Sequence, residues 1–248
     1  MITLGCAPNG VNINHDVGAT HPEALVQAVI SHHADFGIAL DGDADRLQWV
    51  DDKGRLFNGD QLLYVLTLDR ITQGEKVPGV VGTLMTNKAI EEGLRQLNVS
   101  FSRSKVGDRY VLEELISQGW ELGGEGSGHL LMLDKHSTGD GLISALQVLQ
   151  ACLRMNSTLD QLLQAVPLFP QCLLNISIPS NLDWRTHSEF QSRIKSVEKE
   201  LDANGRVLIR ESGTEPLLRI MVEAREEELS VNYASYLAES LSQFRNNV

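Results

Sequence analysis

Residues 36–50 read FGIALDGDADRLQWV, so that an apolar run enters three aspartates at alternate positions and then continues as a second apolar run. Alternate side chains of an extended backbone lie on the same side, and Asp41, Asp43 and Asp45 are therefore expected to converge. At about 5 Å and an effective dielectric constant near 20, each pair of carboxylates repels by roughly 3 kcal/mol. The stretch predicts two short strands joined by a loop that gathers a cation.

The candidate ligands of this loop are all oxygen atoms, which favours Mg²⁺ or Ca²⁺ over zinc. A calcium EF-hand is excluded because its sixth position needs Gly where Arg46 stands, and its twelfth needs Glu where Asp52 stands. The flanking runs are also strand-like, whereas an EF-hand has helices. A solvated acidic turn is the alternative without a ligand. Arg46 is placed either to neutralise a carboxylate or to hold a phosphoryl oxygen.

The composition is that of an ordinary globular protein, with 248 residues, 42% hydrophobic and 22% charged. A net charge of −12 disfavours nucleic acid as a partner. No apolar run approaches the ~20 residues that span a bilayer, and the N-terminus does not resemble a signal peptide, so no membrane partner is expected. Cys6, Cys152 and Cys172 form no C-x-x-C pair, which predicts reduced thiols and a cytoplasmic protein.

The first 57 residues are predicted to form a strand over residues 1–6, a helix over residues 21–34, and strands over 36–40, 47–50 and 55–57. An α/β domain rarely begins with a buried strand and nothing before it. Residues 1–57 are therefore expected to be the back part of a domain.

Residues 58–168 alternate helix and strand, which predicts βαβ units on a mostly parallel sheet. Ligands of such sheets gather at the carboxyl ends of the strands, and the acidic loop is expected there. Residues 169–248 follow the order β-α-β-β-α, which predicts a small α+β domain with both helices on one face of an antiparallel sheet.

Residues 123–129, GGEGSGH, are Gly-rich between two strand-like runs. They do not satisfy G-x-G-x-x-G, and Ser127 is not in a nucleophile elbow because Glu125 stands two positions before it. The alternate spacing of Glu125, Ser127 and His129 predicts a carboxylate, a hydroxyl and an imidazole on one side. Such a set suits the vicinal hydroxyls of a sugar. A plain Gly-rich hairpin is the alternative.

Residues 210–216, RESGTEP, lie between two predicted strands. Two hydroxyls, an accessible Gly backbone N–H and two guanidiniums suit a phosphate ester, and they come from Arg210, Ser212, Gly213, Thr214 and Arg219. A Ser-Gly turn with incidental arginines is the alternative.

A strand-to-helix junction at residues 104–111, SKVGDRYV, contributes a further polar set. Helix N-termini favour anions, which makes Lys105, Asp108 and Arg109 candidates for the site. A surface ion pair is the alternative.

These three loops, in the order metal, sugar, phosphate, resemble the α-D-phosphohexomutase superfamily. The stretches APNGVNIN, VGTLMTN, KVGDRYV, LDKHSTGDG and GRVLIRESGTEPLLRIMVE are most similar to its bacterial phosphoglucosamine mutase family, over about residues 4–224. The resemblance implies an isomerase that interconverts glucosamine 6-phosphate and glucosamine 1-phosphate for UDP-N-acetylglucosamine and cell-wall synthesis. A phosphomannomutase or phosphoglucomutase, and a sugar-phosphate-binding module without catalysis, are the alternatives.

The resemblance also implies roles for the residues of each loop. Mg²⁺ would be bound by Asp41, Asp43 and Asp45, with Arg46 beside the transferring phosphoryl group. The sugar hydroxyls would be held by Glu125 and Ser127 with His129 close by, and Lys105, Asp108 and Arg109 would lie near the active-site centre. The phosphate that is not transferred would be clamped by Arg210, Ser212, Gly213, Thr214 and Arg219. Ala44 stands where the family usually has Gly.

The family's phosphoserine loop, of the Thr/Ala-Ser-His-Asn-Pro type, does not occur in these 248 residues. The resemblance implies phosphohexomutase domain II in truncated form over 1–57, domain III over 58–168 and domain IV over 169–248. It implies that the N-terminal domain of the same enzyme is a missing partner. Without it, this chain is expected to be inactive and to bind Mg²⁺ weakly.

Overall fold

The computed structural model of the chain describes residues 1–179, 183–212 and 217–241. The chain divides into two units by internal contacts, Met1–Pro167 and Leu168–Val248. The predicted boundary between residues 57 and 58 lies inside the first unit, and the three-domain assignment stays a prediction. None of the helices among the described residues is long and apolar enough to cross a membrane.

A three-stranded antiparallel sheet carries the acidic loop. Its strands are β1 (Phe36–Leu40), β2 (Leu47–Asp51) and β3 (Leu56–Phe57), in the order β1-β2-β3. Helix α1 (Glu23–His32) packs against β1 and β2. These elements confirm the predicted helix and the predicted strands on either side of the aspartates.

The strand predicted over residues 1–6 is wrong, because residues 1–22 contain neither helix nor strand. Ile2 is 53% exposed and Leu4 is 43% exposed. An apolar run becomes a strand only where a neighbour satisfies its backbone groups, and β2 is the only described strand that pairs with β1. The segment instead reaches β1 at a single described backbone hydrogen bond, in which Ala19 N donates to Leu40 O at 3.0 Å.

A four-stranded sheet forms the centre of the rest of the first unit, in the order β5-β4-β6-β7. Strand β4 pairs parallel with β5 and β6, and β6 pairs antiparallel with β7, which confirms the predicted mostly parallel sheet. The elements are α2 (Gly59–Thr72), β4 (Gly79–Thr83), α3 (Lys88–Gln96), β5 (Ser100–Ser104), α4 (Asp108–Gln118), β6 (Leu122–Gly124), β7 (Leu130–Met132) and α5 (Gly141–Met155).

Two features of this unit differ from the sequence-based expectations. A short helix α6 (Leu159–Leu163) was not expected, although Thr158 and Gln161 form a capping box at its start. The acidic loop does not follow a strand of the parallel sheet. It joins two antiparallel strands, and it meets the β6–β7 hairpin through a backbone hydrogen bond from Leu47 N to Gly128 O of 3.0 Å.

The second unit is a three-stranded antiparallel sheet in the order β8-β10-β9 with two helices. Its core brings together side chains of the sheet and of both helices, among them Phe190, Val197, Ile220 and Leu237. Both helices therefore cover one face of the sheet, as the β-α-β-β-α order predicts. The elements are β8 (Gln171–Ser177), α7 (Ser188–Leu201), a 3₁₀ turn (Asp202–Asn204), β9 (Gly205–Glu211), β10 (Leu217–Ala224) and α8 (Glu227–Glu239).

Candidate functional site

The acidic loop gathers its three aspartates at one point. One carboxylate oxygen from each of Asp41, Asp43 and Asp45 lies within 4.8 Å of the others. The turn is closed by Ala44 N, which donates to Asp41 O at 3.1 Å, and by Arg46 N, which donates to Asp41 Oδ1 at 3.2 Å. Ala44 has a φ of +60°, in the left-handed region that favours glycine. The convergence predicted from the alternate spacing is therefore present.

One oxygen of this cluster is left unsatisfied. Among the described residues, the buried Oδ1 atom of Asp45 has no hydrogen-bond partner. Burial, and after it the charge of Asp41, raise the pKa of the Asp45 carboxyl above its usual value. A buried carboxylate oxygen without a donor is costly unless a cation lies against it. An all-oxygen donor set with such an oxygen fits Mg²⁺.

Arg46 follows the cluster directly. Its Nε atom lies 3.4 Å from Asp41 Oδ2, while its side chain stays 46% exposed. The guanidinium therefore neutralises part of the acidic cluster and still presents donors to solvent.

His129 is turned into the acidic loop. Its Nδ1 atom lies 2.9 Å from Asp45 Oδ2, and its side chain is 5% exposed. Its buried Nε2 atom has no hydrogen-bond partner within the described part of the chain. Gly139 lies against it, since a Cβ atom there would come 2.2 Å from Nε2.

The expectation that Glu125, Ser127 and His129 lie on one side stays a prediction; Glu125 N donates to His129 O at 2.9 Å, which places these two residues opposite each other in the hairpin. Gly128 N donates to Glu125 O at 2.9 Å, and Gly128 has a φ of +98°, so a tight turn closes the hairpin. Ser127 is exposed while His129 is buried. The three side chains reach three different surroundings.

Glu125 fastens the hairpin to the start of α4. Its Oε1 atom accepts a hydrogen bond from Gly107 N at 2.8 Å. Gly107 is the N-cap of α4 and has no side chain to cap the helix, so the carboxylate supplies a negative charge at the positive helix end. The hairpin and the junction at residues 104–111 therefore form one neighbourhood.

The three candidate residues of that junction, Lys105, Asp108 and Arg109, are exposed. Arg109 Nε bonds Glu113 Oε1 at 2.8 Å, which is the surface ion pair given above as the alternative. The ammonium of Lys105 lies 5.5 Å from the centre of the Tyr110 ring. The placement of Lys105, Asp108 and Arg109 near an active-site centre stays a prediction.

Several residues that hold these loops were not singled out in the sequence. Gly141 N donates to Ala44 O at 2.8 Å, and the Asp140 side chain accepts from Ile143 N at 2.9 Å, so the capped start of α5 supports the acidic loop. Gln48 Nε2 donates to Ser127 O at 3.1 Å, and Gly59 N donates to Gly126 O at 3.1 Å. The Asp-Gly pair before the long helix was the signal available for the first contact.

The second unit places two arginines opposite each other. Arg210 of β9 and Arg219 of β10 are direct partners in the antiparallel register. Burial, and after it the charge of Arg219, lower the pKa of Arg210. Arg219 Nε and Ser212 Oγ are buried and have no hydrogen-bond partner among the described residues. Unsatisfied donors beside two guanidiniums favour an anion.

Two of the predicted phosphate ligands, Gly213 and Thr214, lie outside the described residues. The end of β9 that leads to them is fastened by Glu211. Its Oε1 atom accepts from Trp184 Nε1 at 2.8 Å and from an Arg185 guanidinium N–H at 2.6 Å. These bonds, that of Arg185 first, lower the pKa of Glu211, and they hold the backbone next to Ser212.

Two family models match the chain. The phosphoglucomutase/phosphomannomutase alpha/beta/alpha domain III matches residues 58–169. The C-terminal domain of the same family matches residues 173–240.

Curated relatives are named phosphoglucosamine mutase. That of Acidovorax ebreus (strain TPSY) is 64% identical over 240 residues, which are 97% of this chain and 54% of the relative. That of Verminephrobacter eiseniae (strain EF01-2) is 62% identical over 238 residues, 96% of this chain and 52% of the relative. The chain thus spans about half the length of the curated relatives it matches.

Solved structures share the fold. The N-acetylphosphoglucosamine mutase of Aspergillus fumigatus, in complex with GlcNAc-6P and magnesium, has a TM-score of 0.74 at 20% identity and covers 94% of this chain and 58% of its own. A phosphoglucomutase/phosphomannomutase family protein of Burkholderia thailandensis has a TM-score of 0.71 at 20% identity, over 91% of this chain and 51% of its own. With two family models in chain order and close curated relatives, the chain belongs to the phosphoglucomutase/phosphomannomutase family of the α-D-phosphohexomutase superfamily.

Proposed function

We propose that this chain carries the metal, sugar and phosphate sites of a phosphoglucosamine mutase, which interconverts glucosamine 6-phosphate and glucosamine 1-phosphate. The observation that carries the proposal is the cluster of Asp41, Asp43 and Asp45, with an unsatisfied buried oxygen on Asp45. The relatives with which this chain shares 64% identity support the choice of sugar. The product would feed the synthesis of UDP-N-acetylglucosamine and the cell wall.

The three aspartates are the proposed Mg²⁺ ligands, and the ion when bound would neutralise charge on the phosphoryl group being transferred. Arg46 adds a fixed positive charge beside them and donates to a phosphoryl oxygen. His129 holds Asp45 in one orientation through its Nδ1 atom. The chain's part in the reaction is therefore to bind and orient the phosphoryl group, since the transfer itself needs mainly position and charge.

The sugar and its second phosphate are assigned to the remaining loops. Glu125 accepts from sugar hydroxyls, and the exposed Ser127 donates to or accepts from them. The phosphate that stays on the sugar is bound by Arg210, Ser212 and Arg219, together with Gly213 and Thr214. A phosphorylated hexosamine is thus the proposed partner, and the free cysteines favour the reducing cytoplasm as the place of the reaction.

The phosphoryl donor is assigned to a phosphoserine on polypeptide outside these 248 residues, because they contain no Thr/Ala-Ser-His-Asn-Pro stretch. We expect the 248-residue chain to bind Mg²⁺ weakly, with extra waters in place of the phosphoserine oxygen. We expect it to bind sugar phosphate but to turn over none.

A chimaera tests this proposal. The part of the Acidovorax ebreus relative that this chain does not match is fused ahead of residue 1, and glucosamine 1-phosphate formation is followed by ³¹P NMR with Mg²⁺. We expect turnover by the chimaera, no turnover by the chain alone, and a loss of at least about 100-fold in the chimaera with Asp43→Asn. A folded chimaera without turnover, or equal turnover with Asp43→Asn, would contradict the proposal.

The same assay separates the two alternatives. Faster turnover of mannose or glucose phosphates than of glucosamine phosphates would assign the site to a phosphomannomutase or phosphoglucomutase. Sugar-phosphate binding by the folded chimaera without any turnover would assign the chain to a binding module, a hypothesis that the intact RESGTEP stretch favours because phosphate binding needs no nucleophile.

A further inference from the structure

One face of the sheet in the second unit points away from the helices. Alternation places Ile176, Leu218 and Ile220 in the core beneath the helices, so their neighbours along each strand lie on the opposite face. We name this opposite face the outer face. Its residues include Gln171, Leu173 and Asn175 on β8, Arg206, Leu208 and Arg210 on β9, and Arg219, Met221 and Glu223 on β10.

The antiparallel registers align these residues in three rows across the sheet. The row of Arg206, Glu223 and Gln171 is internally neutralised. Arg206 donates to both carboxylate oxygens of the buried Glu223, and Gln171 Nε2 donates to its Oε1 atom. The middle row, of Leu208, Met221 and Leu173, is apolar. The charges of the first row are paired within the row, and the middle row has none, so neither row calls for a charged ligand.

The third row has positive charges without a negative partner among the described residues. It consists of Arg210, Arg219 and Asn175, with two guanidiniums and no carboxylate. Within the described part of the chain no ion pair joins either arginine to an acidic residue, and the buried Nε atom of Arg219 has no partner. Two adjacent cations, one of them with a buried and unsatisfied donor, favour an anion on the outer face.

Asn175 stands directly opposite Arg219 in this row, on the side away from Arg210, and its residue is exposed. Directly opposed side chains have Cβ atoms about 4.5–5.5 Å apart, so the amide and the guanidinium reach the same small group. An amide brings two N–H donors without adding a third positive charge.

We propose that Asn175 is a further ligand of the phosphate held by Arg210 and Arg219, and that it donates its amide N–H to a phosphate oxygen. The inference rests on the proposed function and extends the phosphate site from β9 and β10 to the third strand, β8. It makes the site a row across the whole sheet rather than a loop alone.

Asn175→Asp tests the proposal, because it keeps the shape of the side chain and adds a carboxylate beside two guanidiniums. The carboxylate pairs with the arginines and takes the place of the phosphate. We expect the dissociation constants for inorganic phosphate and glucosamine 6-phosphate, measured by titration calorimetry on the 248-residue chain, to rise at least about tenfold. The melting temperature is expected to hold or rise, since a like-charged pair gains a counter-ion.

Three further variants make the result decisive. Asn232 is exposed on α8, the helix that packs on the other face of the sheet. Asn232→Asp makes the same chemical change there, and this variant is expected to bind phosphate as the unmodified chain does. Asn175→Ala is expected to weaken binding about threefold. Arg219→Gln is expected to weaken binding more than either.

The possible results distinguish the role of Asn175 from the existence of the phosphate site. Unchanged binding by Asn175→Asp, with binding lost in Arg219→Gln, would overturn the role of Asn175 and leave the phosphate site standing. A fall in melting temperature that accompanies lost binding in Asn175→Asp would assign the residue to the fold and overturn its role as a ligand. No phosphate binding by the unmodified chain would overturn the proposed phosphate site and this inference together.

Discussion

The Nδ1 atom of His129 lies 2.9 Å from Oδ2 of Asp45, so that the β6–β7 hairpin fixes an aspartate 84 positions earlier in the chain. The imidazole is almost fully buried, and its other nitrogen is covered by Gly139. A side chain that orients a metal ligand commonly has a large effect on metal affinity, although it does not touch the metal itself. The hairpin proposed to recognise the sugar thus also positions a proposed metal ligand.

We expect His129→Ala to weaken Mg²⁺ binding about tenfold, because Asp45 loses the group that orients it. His129→Asn is the matched control, since its amide nitrogen takes nearly the place of Nδ1, and it should retain most of the affinity. Titration calorimetry with Mg²⁺ gives the affinity, and calorimetric melting shows that both variants are folded. Equal Mg²⁺ affinity in His129→Ala and the unmodified chain would contradict the prediction.

Gly139→Ala acts on the same contact from the other side. The new Cβ atom would lie 2.2 Å from Nε2 of His129, so the imidazole must move away from Asp45. We expect the loss of Mg²⁺ affinity to match that of His129→Ala. The double variant should lose no more than either single one, because both remove one interaction. Additive losses of Mg²⁺ affinity would show that Gly139 acts on the acidic loop independently of His129.

Arg55 is expected to stabilise the first unit in a pH-dependent way. Its NH2 atom lies 2.6 Å from Oδ2 of Asp51, whose side chain is 12% exposed. Burial raises the pKa of Asp51, but the hydrogen bonds and charge of Arg55 outweigh it, and the pKa lies below its usual value. The unfolded chain therefore takes up the proton first as pH falls. The stabilisation is present above about pH 4 and is lost as pH falls through the folded-state pKa.

Arg55→Gln should therefore lower the free energy of unfolding at pH 7, and lower it by less near pH 3. Urea unfolding at the two pH values measures the difference. Asp160→Asn serves as the control, since the Arg55–Asp160 pair, 2.5 Å apart, is more exposed than the Arg55–Asp51 pair and should contribute less to stability. A cost for Arg55→Gln that grows with falling pH would contradict the assignment.

The cysteines are expected to differ in reactivity. Burial, and after it the charge of Asp69, raise the pKa of the Cys152 thiol to about 11. At pH 8 only about one thiol in 1,000 is then a thiolate, which is the reactive form. We expect iodoacetamide at pH 8 to modify the exposed Cys6 first and to leave Cys152 almost untouched. Peptide mass spectrometry of a time course measures this, and Cys6→Ser is the control; rapid labelling of Cys152 in the folded chain would contradict it.

The sequence predicted the elements whose patterns are local. The strands around Asp41–Asp45 and the helices with apolar residues at helical spacing were correctly predicted, because local spacing and turn residues decide them. The strand over residues 1–6 was wrong because a strand also needs a neighbour, and no local pattern shows whether one is there. Helix α6 was not predicted, although it has a local signal in the capping box of Thr158 and Gln161.

In the candidate site, too, the local features could be predicted from the sequence and the contacts between distant residues could not. The convergence of Asp41, Asp43 and Asp45 follows from alternate spacing along one loop. The burial of His129, the contact of Glu125 with Gly107 and the support from Gly141 depend on residues far apart in the chain. The turn at Gly128 closes the hairpin, and within it His129 contacts Asp45 while Ser127 is exposed.

The contacts of His129 and Gly141 with the acidic loop can form only late in the synthesis of the chain. The aspartates leave the ribosome long before the hairpin and the start of α5, because 84 residues separate Asp45 from His129. At roughly 5–20 residues per second, the delay is on the order of 4–17 s. During that interval the loop has neither contact that holds its shape, and contacts so distant in sequence close slowly. A metal ion held by this loop, as proposed above, would thus be bound only after α5 has been made.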